Sequence, residues 1–219
     1  MITMHQSSGI VFLGFGRFGQ QLHRFLVEGG ISVDSAVAFD DYYNGKAIQK
    51  VYPFEAFRDD AFKNYEFVLG LGYLRLAERY ETMQWLLEHE RKLLSYIHPT
   101  AVIEPSAKIG QGCFIGACSH IASGAELGNG VHCYSRVNIE HDSYVGDATF
   151  LTPNVCIAGG VNIGKRCFCG ISSVIFNDIT IGNDAMIGGA SAVTQDIPDN
   201  SSALGNPVRI LKNRKLRLT

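Results

Sequence analysis

The chain has 219 residues, is 46% hydrophobic and 18% charged, and carries a formal net charge of −2, which is the composition of a globular protein with one or two domains. So balanced a charge gives no reason to expect nucleic acid or an anionic membrane as a partner. No apolar run reaches the length of a membrane span, and Met1 to Ser8 lacks the basic stretch and apolar core of a signal peptide, so a cytoplasmic location is expected.

In chain order, Ile10-Val11-Phe12-Leu13 reads as a buried strand. Gly14-Phe15-Gly16-Arg17-Phe18-Gly19 follows, then a helical pattern that puts Phe18, Leu22, Phe25 and Leu26 on one face. Val37-Ala38-Phe39 is a second strand, ending in Asp40-Asp41. Strand, G-x-G-x-x-G, helix, strand and acid form the sequence of a nucleotide-binding βαβ unit. The glycines and the helix N-terminus can accept a phosphate. The acid can accept from a ribose hydroxyl or a base N–H. Gly14, Gly16, Arg17, Gly19, Asp40 and Asp41 are therefore candidate substrate-binding residues. A third strand over 67–70 leads through Gly72, a further candidate, into a helix over about 74–91. Lys92 to Ile97 is a fourth strand. Residues 1–95 thus read as a small Rossmann-like α/β domain holding one nucleotide-binding half. A single half predicts a mononucleotide site and argues against NAD.

From Ile97 to Val193 the chain keeps a period of six. Seventeen successive positions, among them Ile103, Ile115, Leu127, Cys133, Ile139, Leu151, Ile163, Cys169 and Ile187, carry an aliphatic residue or a cysteine. A small or β-branched residue stands two before each, and a glycine often stands one after, as at Gly110, Gly116, Gly128, Gly146, Gly164, Gly170, Gly182 and Gly188. A fixed period over so many units means a solenoid. Residues two apart in a strand face the same way, so both small and aliphatic positions point inward. The glycine after them suits a corner that needs positive φ. Three six-residue units close a triangular coil of eighteen, and five to six coils stack at about 4.8 Å. The domain over 96–219 is thus a parallel β-helix. All six cysteines lie in it; Cys113, Cys133, Cys167 and Cys169 fall on inward positions as small hydrophobes, with no disulfide or zinc motif.

Past Val193 the period stops. Asp196 to Asn200 is a turn, and Gly205-Asn206-Pro207 leads to a tail holding Arg209, Lys212, Arg214, Lys215 and Arg217 without an acid. The tail reads as a terminal helix capping the last coil, or as a cationic patch for a phosphorylated cofactor.

His5, His23 and His89 suggest only surface. His120 and His132, with Phe150 and Phe168, are expected to point outward on flat faces. His98 is at the first corner, beside Pro99. His141 stands at a corner between Glu140 and Asp142, in a column of residues eighteen apart that reads Ser123, His141, Gly159, Asn177, Gln195. A glycine one coil away leaves room beside the imidazole and presents a backbone N–H. A base and an N–H a few ångströms apart are what acyl transfer requires: the base deprotonates the acceptor and the N–H stabilises the oxyanion. Asp142 or Glu140 could fix the tautomer by accepting from Nδ1. The histidine spacings fit no zinc site, so no metal is predicted.

With the glycine-loop domain, Phe39-Asp40-Asp41, the hexapeptide run, Glu140-His141-Asp142 and Gly205-Asn206-Pro207 in place, the whole chain resembles the two-domain hexapeptide-repeat nucleotide-sugar acetyltransferases: the bacillosamine-pathway N-acetyltransferases, grouped with the sialic-acid O-acyltransferases. The resemblance implies a left-handed β-helix, a homotrimer, acetyl-CoA as acyl donor bound between neighbouring subunits, and a nucleotide-linked amino sugar as acceptor. It also implies His141 as base, Asp142 as its partner, the Gly159 N–H on the acetyl carbonyl, and backbone contacts to the pantetheine arm near Ile171 and Gly189. Arg209 and Lys212 of the tail are then expected to meet the phosphates of CoA. Acylation of a sugar hydroxyl and a non-catalytic scaffold are the alternatives carried forward.

Overall fold

The computed structural model describes residues 9–211. His5 and the tail from Lys212 onward lie outside the described residues. The chain divides into two compact units, Met1–Ser95 and Tyr96–Thr219.

In the first unit β1 (Ile10–Leu13) is flanked by β2 (Val37–Phe39) on one side and β4 (Glu66–Leu69) on the other. β3 (Lys50–Tyr52) lies outside β2 and β5 (Lys92–Leu93) outside β4, giving a parallel sheet of order β3-β2-β1-β4-β5. The three inner strands are buried almost throughout, as strands covered on both faces must be. Helix α1 (Arg17–Glu28) buries Gly19, Leu22 and Leu26, with Phe18 and Phe25 half-buried beside them. Helix α2 (Leu76–Glu88) follows a short 3-10 turn at Tyr73–Arg75 and is shorter than its pattern predicts. Two expectations are corrected here. Strands lie on both sides of β1, so the sheet is wider than a single nucleotide-binding half. The stretch 92–97 is not one strand: Lys92–Leu93 pairs with β4, whereas Tyr96–Ile97 pairs with Phe114–Ile115 in the second unit. Strand β3 escaped the sequence reading because it is a three-residue edge strand that buries none of its residues fully.

The second unit winds seventeen two-residue strands, β6 (Tyr96–Ile97) to β22 (Ala192–Val193), into three parallel sheets. Each residue pairs with the one eighteen positions on: His120 with Asn138, Leu127 with Val145, Phe150 with Phe168. The core is one column of apolar side chains, Ile115, Ile121, Leu127, Cys133, Ile139, Val145 and onward to Val193, with Cys113, Ala125, Val131, Val137 and Val155 filling the space between them. Burial pushes the Cys167 thiol up to about 12 and raises those of Cys133 and Cys169 as well, so all three sit in the core as neutral, inert groups. Past β22, β23 (Ser202–Leu204) extends one sheet, and β24 (Arg209–Leu211) pairs antiparallel with it. Arg209 therefore lies on a strand, which corrects the terminal-helix reading at this point. Among the described residues no helix is long and apolar enough to cross a membrane.

The glycines after the inward aliphatics have another cause than the expected one. None of Gly110, Gly116, Gly128, Gly146, Gly164, Gly170, Gly182 and Gly188 has positive φ. The left-handed residue comes two positions later and is often not glycine: Cys118, Arg136, Asp142, Ala148, Asn154, Arg166, Asp178 and Asp184 all have φ near +55 to +62°. The glycines answer instead to close approach. A Cβ on Gly110 would stand 2.6 Å from the carbonyl carbon of Gly128, and one on Gly146 would stand 2.6 Å from that of Gly164, because the next coil crosses directly over the corner. The positive φ at each corner is tolerated by Asn, Asp and others because fixed ladder bonds on both sides hold it.

The outward residues are corrected too. His132, Phe150 and Phe168 are 1%, 0% and 7% exposed, where open faces were expected. The eighteen-residue register stacks their rings: His132 lies 5.8 Å from Phe114 and 4.9 Å from Phe150, nearly parallel to both, with Tyr134 edge-on at 4.5 Å. His120, on a different face, is half-buried. His23, expected at the surface, packs against Phe12 and Phe15, and its burial holds the imidazole below the usual histidine value.

Gly146→Ala should lower stability by about 1–3 kcal/mol, the cost of overpacking a site with no room for a methyl, and thermal denaturation would measure it. An unchanged melting temperature would show that the coils can part at this corner.

Candidate active site

His141 sits where the chain turns from one face of the prism to the next. Its Nδ1 is 3.0 Å from Oδ2 of Asp142. Asp142 owes its position to its left-handed backbone, φ 58°, which turns a side chain adjacent in sequence back toward the ring. Gly124, one coil below in the same corner column, leaves room for that carboxylate. Gly159, one coil above His141, leaves room for the ring: a Cβ there would be 2.6 Å from both Cε1 and Nε2. The imidazole side chain is 64% exposed, and its Nε2 edge lies against the glycine. The hydrogen bond to Asp142 holds the His141 imidazole above its ordinary value; desolvation opposes this, and the charges of Asp142, Glu140 and Asp178 add to it. Between Asp142 and Glu140 as orienting acid, the hydrogen bond goes to Asp142. The Glu140 carboxylate instead accepts from the side-chain amide of Asn138 at 2.7 Å.

Gly159 is buried, and its neighbours Ala158 and Gly160 donate to Ile175 and His141 carbonyls. Its own N–H donates to no acceptor among the described residues. The same corner two coils below shows what such an N–H can donate to: Ser123 N donates to a carboxylate oxygen of Glu104 at 2.9 Å. The corner N–H of this column thus faces an anion in one coil and is open in the other.

Ile171 and Gly189 lie elsewhere. They share a column at the opposite edge of the same prism face, where a Cβ on Gly189 would meet Ile171 Cγ2 at 3.1 Å, and Ile171 is 55% exposed. Six residues separate that column from the one holding Asn177 and His141, roughly 20 Å of extended chain. One chain therefore does not bring these two residues to His141. Arg209 is exposed on β24; Lys212 lies outside the described residues.

In the first unit, Gly14 has φ +84° and Gly19 packs against the Gly14 carbonyl so closely that no Cβ fits. Gly16 differs: a Cβ there would meet no protein atom within 4 Å. No protein contact requires glycine at that position, and Arg17 beside it is exposed. The Asp40 carboxylate accepts from Phe15 N at 2.6 Å and from Tyr42 N and Tyr43 N at 2.8 and 3.0 Å. Asp40 thus ties the glycine loop to the end of β2, in place of the free acid expected. Asp41 accepts from Phe54 N at 2.9 Å. Gly72 has Phe18 3.5 Å from where its Cβ would be. The sequence reading missed Arg79, a buried guanidinium of α2 that donates to the carbonyls of Leu69 and Leu71 and so pins the loop after β4. Its helical spacing gives it the appearance of an exposed charge.

No protein-family model matches the chain. Several solved structures do. PerB from Caulobacter crescentus, in complex with CoA and GDP-perosamine, is 28% identical over 93% of this chain and 97% of its own, with a TM-score of 0.82. The acetyltransferase domain of PglB from Neisseria gonorrhoeae is 22% identical over 93% and 99%, with a TM-score of 0.83. Among curated proteins, the bifunctional protein GlmU of Ruthia magnifica is 35% identical over 51% of this chain and 29% of its own length. An acyl-carrier-protein–UDP-N-acetylglucosamine O-acyltransferase of Burkholderia orbicola is 40% identical over 36% and 30%. The chain spans under a third of the length of the curated relatives it matches. The fold is that of the hexapeptide-repeat acyltransferases, a left-handed β-helix of about six turns. The resemblance read from the sequence, to the two-domain sugar acetyltransferases of this class, stands with these neighbours.

The raised proton affinity of His141 has a direct check. Its imidazole, followed by NMR, should titrate above the ordinary histidine value, and Asp142→Asn should bring the midpoint down, because the replacement removes both the accepted hydrogen bond and a negative charge. A midpoint that Asp142→Asn leaves in place would remove Asp142 as the partner of the base.

Proposed function

We propose that the protein transfers an acetyl group from acetyl-CoA to the amino group of a nucleotide-linked amino sugar. The observation that carries this reading is the His141–Gly159 corner: an exposed imidazole oriented through Nδ1 by Asp142, with Nε2 beside an open backbone N–H. With the neutral amine in place, its lone pair forms the N–C bond to the acetyl carbonyl as the carbonyl π pair moves onto oxygen. The Gly159 N–H stabilises that oxyanion. His141 Nε2 takes one proton from the nitrogen. The intermediate then collapses, the C–S bond breaks, and the CoA thiolate leaves with the proton His141 holds. Nδ1–H stays on Asp142 throughout, which keeps Nε2 as the basic nitrogen.

The first unit is read as a Rossmann-like nucleotide-binding domain over 1–95 and the second as the acyltransferase domain over 96–219. The open space over Gly16 suits a close-approaching pyrophosphate, and α1 begins there without any acidic residue in its first turn. Gly14 and Gly19 shape the loop, Arg17 offers charge to the phosphates, and Asp40, Asp41 and Gly72 frame the site. Ile171, Gly189 and Arg209 are read as cofactor contacts, and Lys212 with them. Since Ile171 and His141 stand at opposite edges of one face, a second copy must supply the cofactor contacts at each His141. This supports the homotrimer, with one site at each subunit junction.

His141→Ala should lower kcat by about 10²–10⁴-fold while leaving the KM for acetyl-CoA near its wild-type value, since the base does not bind the cofactor. In wild type, kcat/KM should fall as pH drops through the raised histidine value, because only the neutral imidazole is a base. Retention of more than a third of kcat by the variant would place the chemistry elsewhere. Gly16→Val tests the other unit. No protein atom contests its side chain, so the melting temperature should hold while the KM for the sugar nucleotide rises tenfold or more; an unchanged KM would remove the glycine loop from the site.

A further inference from the structure

A chain of polar side chains runs over three coils of one prism face and ends beside the base. At its far end Glu104 accepts from Ser123 N at 2.9 Å and from the Ser123 hydroxyl. His120 Nε2 is 3.1 Å from the other Glu104 oxygen, and His120 Nδ1 is 3.1 Å from Asn138 Oδ1. Asn138 Nδ2 donates to Glu140 Oε1 at 2.7 Å. Glu104, His120, Asn138 and Glu140 are all half-buried.

The direction of every bond follows from the two ends. The hydrogen bonds of Ser123 and His120 hold the Glu104 carboxyl below its ordinary value, so it is an acceptor. The amide of Asn138 must turn its NH₂ toward the Glu140 carboxylate, which leaves its oxygen toward His120. Both ring nitrogens of His120 therefore face acceptors. The network is fully connected with one orientation, and what it fixes is the Glu140 carboxylate, next to His141 and felt by it electrostatically.

An attacking amine develops a full positive charge on nitrogen between bond formation and the loss of its proton to His141. A hydroxyl loses its proton as it attacks and develops none. A carboxylate anchored beside the base favours the imidazolium formed in either case, but only the amine presents a cation of its own for it to receive. We propose that Glu140 is a specificity-determining residue that receives the positive nitrogen of the acceptor, and that Asn138 and His120 are positioning residues that hold it there. This rests on the acyl-transfer reading of the His141 corner and adds the group that selects an amine over a hydroxyl.

The test measures steady-state kinetics of wild type, Glu140→Gln, Asn138→Ala and the double variant. The acceptors are GDP-perosamine, a UDP-linked amino sugar and the hydroxyl counterpart of each, with acetyl-CoA as donor and melting temperatures as the check on folding. Wild type should favour the amine. Glu140→Gln should raise the KM for the amine or lower its kcat/KM about tenfold or more, while leaving the KM for acetyl-CoA within twofold and lowering the rate with the hydroxyl sugar by a clearly smaller factor. Asn138→Ala should shift the same parameters in the same direction by less. The double variant should equal Glu140→Gln alone, because Asn138 acts through that carboxylate. Equal losses with amine and hydroxyl, an amine kcat/KM within twofold of wild type in Glu140→Gln, or an additive double variant would each overturn the proposal and leave acetyl transfer standing. Wild type that favours the hydroxyl would do the same. Turnover of none of the four acceptors would overturn the sugar-acetyltransferase reading, and this proposal with it.

Discussion

The constraint on which the second unit depends is the eighteen-residue register. Parallel ladders of two-residue strands hold every backbone position over its counterpart in the next coil, at about the 4.8 Å spacing of paired strands. A residue inserted within a strand would throw its side chains onto the opposite face, whereas one inserted at a corner loops out. The register decides which side chains share a column, and through that it decides chemistry. It stacks Phe114, His132, Phe150 and Phe168 into one buried ring column. It pairs Arg166 with Asp184 through two bonds of 2.7 and 2.6 Å. It lays Gly159 on His141.

The corners show how close packing and function use the same geometry. At the first corner residue the coils approach so nearly that glycine recurs, and where it stands there is no side chain to do chemistry. At the third, left-handed residue, a side chain is thrown back along the corner, and there Asp142 meets the imidazole. Between them stands a residue whose N–H can donate to a side chain of a neighbouring coil, as Gln111 N does to Asn129 and Lys165 N to Asn183. In this chain that N–H is satisfied by Glu104 at Ser123 and open at Gly159. An open backbone donor in a buried position is costly unless something fills it. The α/β unit repeats the theme, since Gly16 is the one glycine of its loop that no protein atom requires.

Much of this was legible in the residues. The six-residue period fixed the strands, the inward columns and the neighbours of His141, because a solenoid without insertions converts sequence distance directly into spatial distance. The strand, glycine loop, helix and acid of the first unit were legible for the same reason of local order. The role of Asp40 was not, since an acid after a strand looks the same whether it awaits a ligand or, as here, accepts three backbone N–H groups. Nor was Arg79, whose burial depends on what α2 packs against.

What the sequence determined by itself is the repeat: the coil length, the core columns and the place of His141 beside a glycine, all consequences of one period that side-chain size enforces. What only the tertiary structure decided is which groups use that frame. The sign of φ at each corner, the choice of Asp142 over Glu140 as hydrogen-bond partner of His141, the burial of His132 and the hydrogen-bond chain from Glu104 to Glu140 depend on side-chain directions across coils. Periodicity brings two residues within reach, but the direction of a hydrogen bond depends on rotamers and neighbours, and those exist only once the coils are stacked.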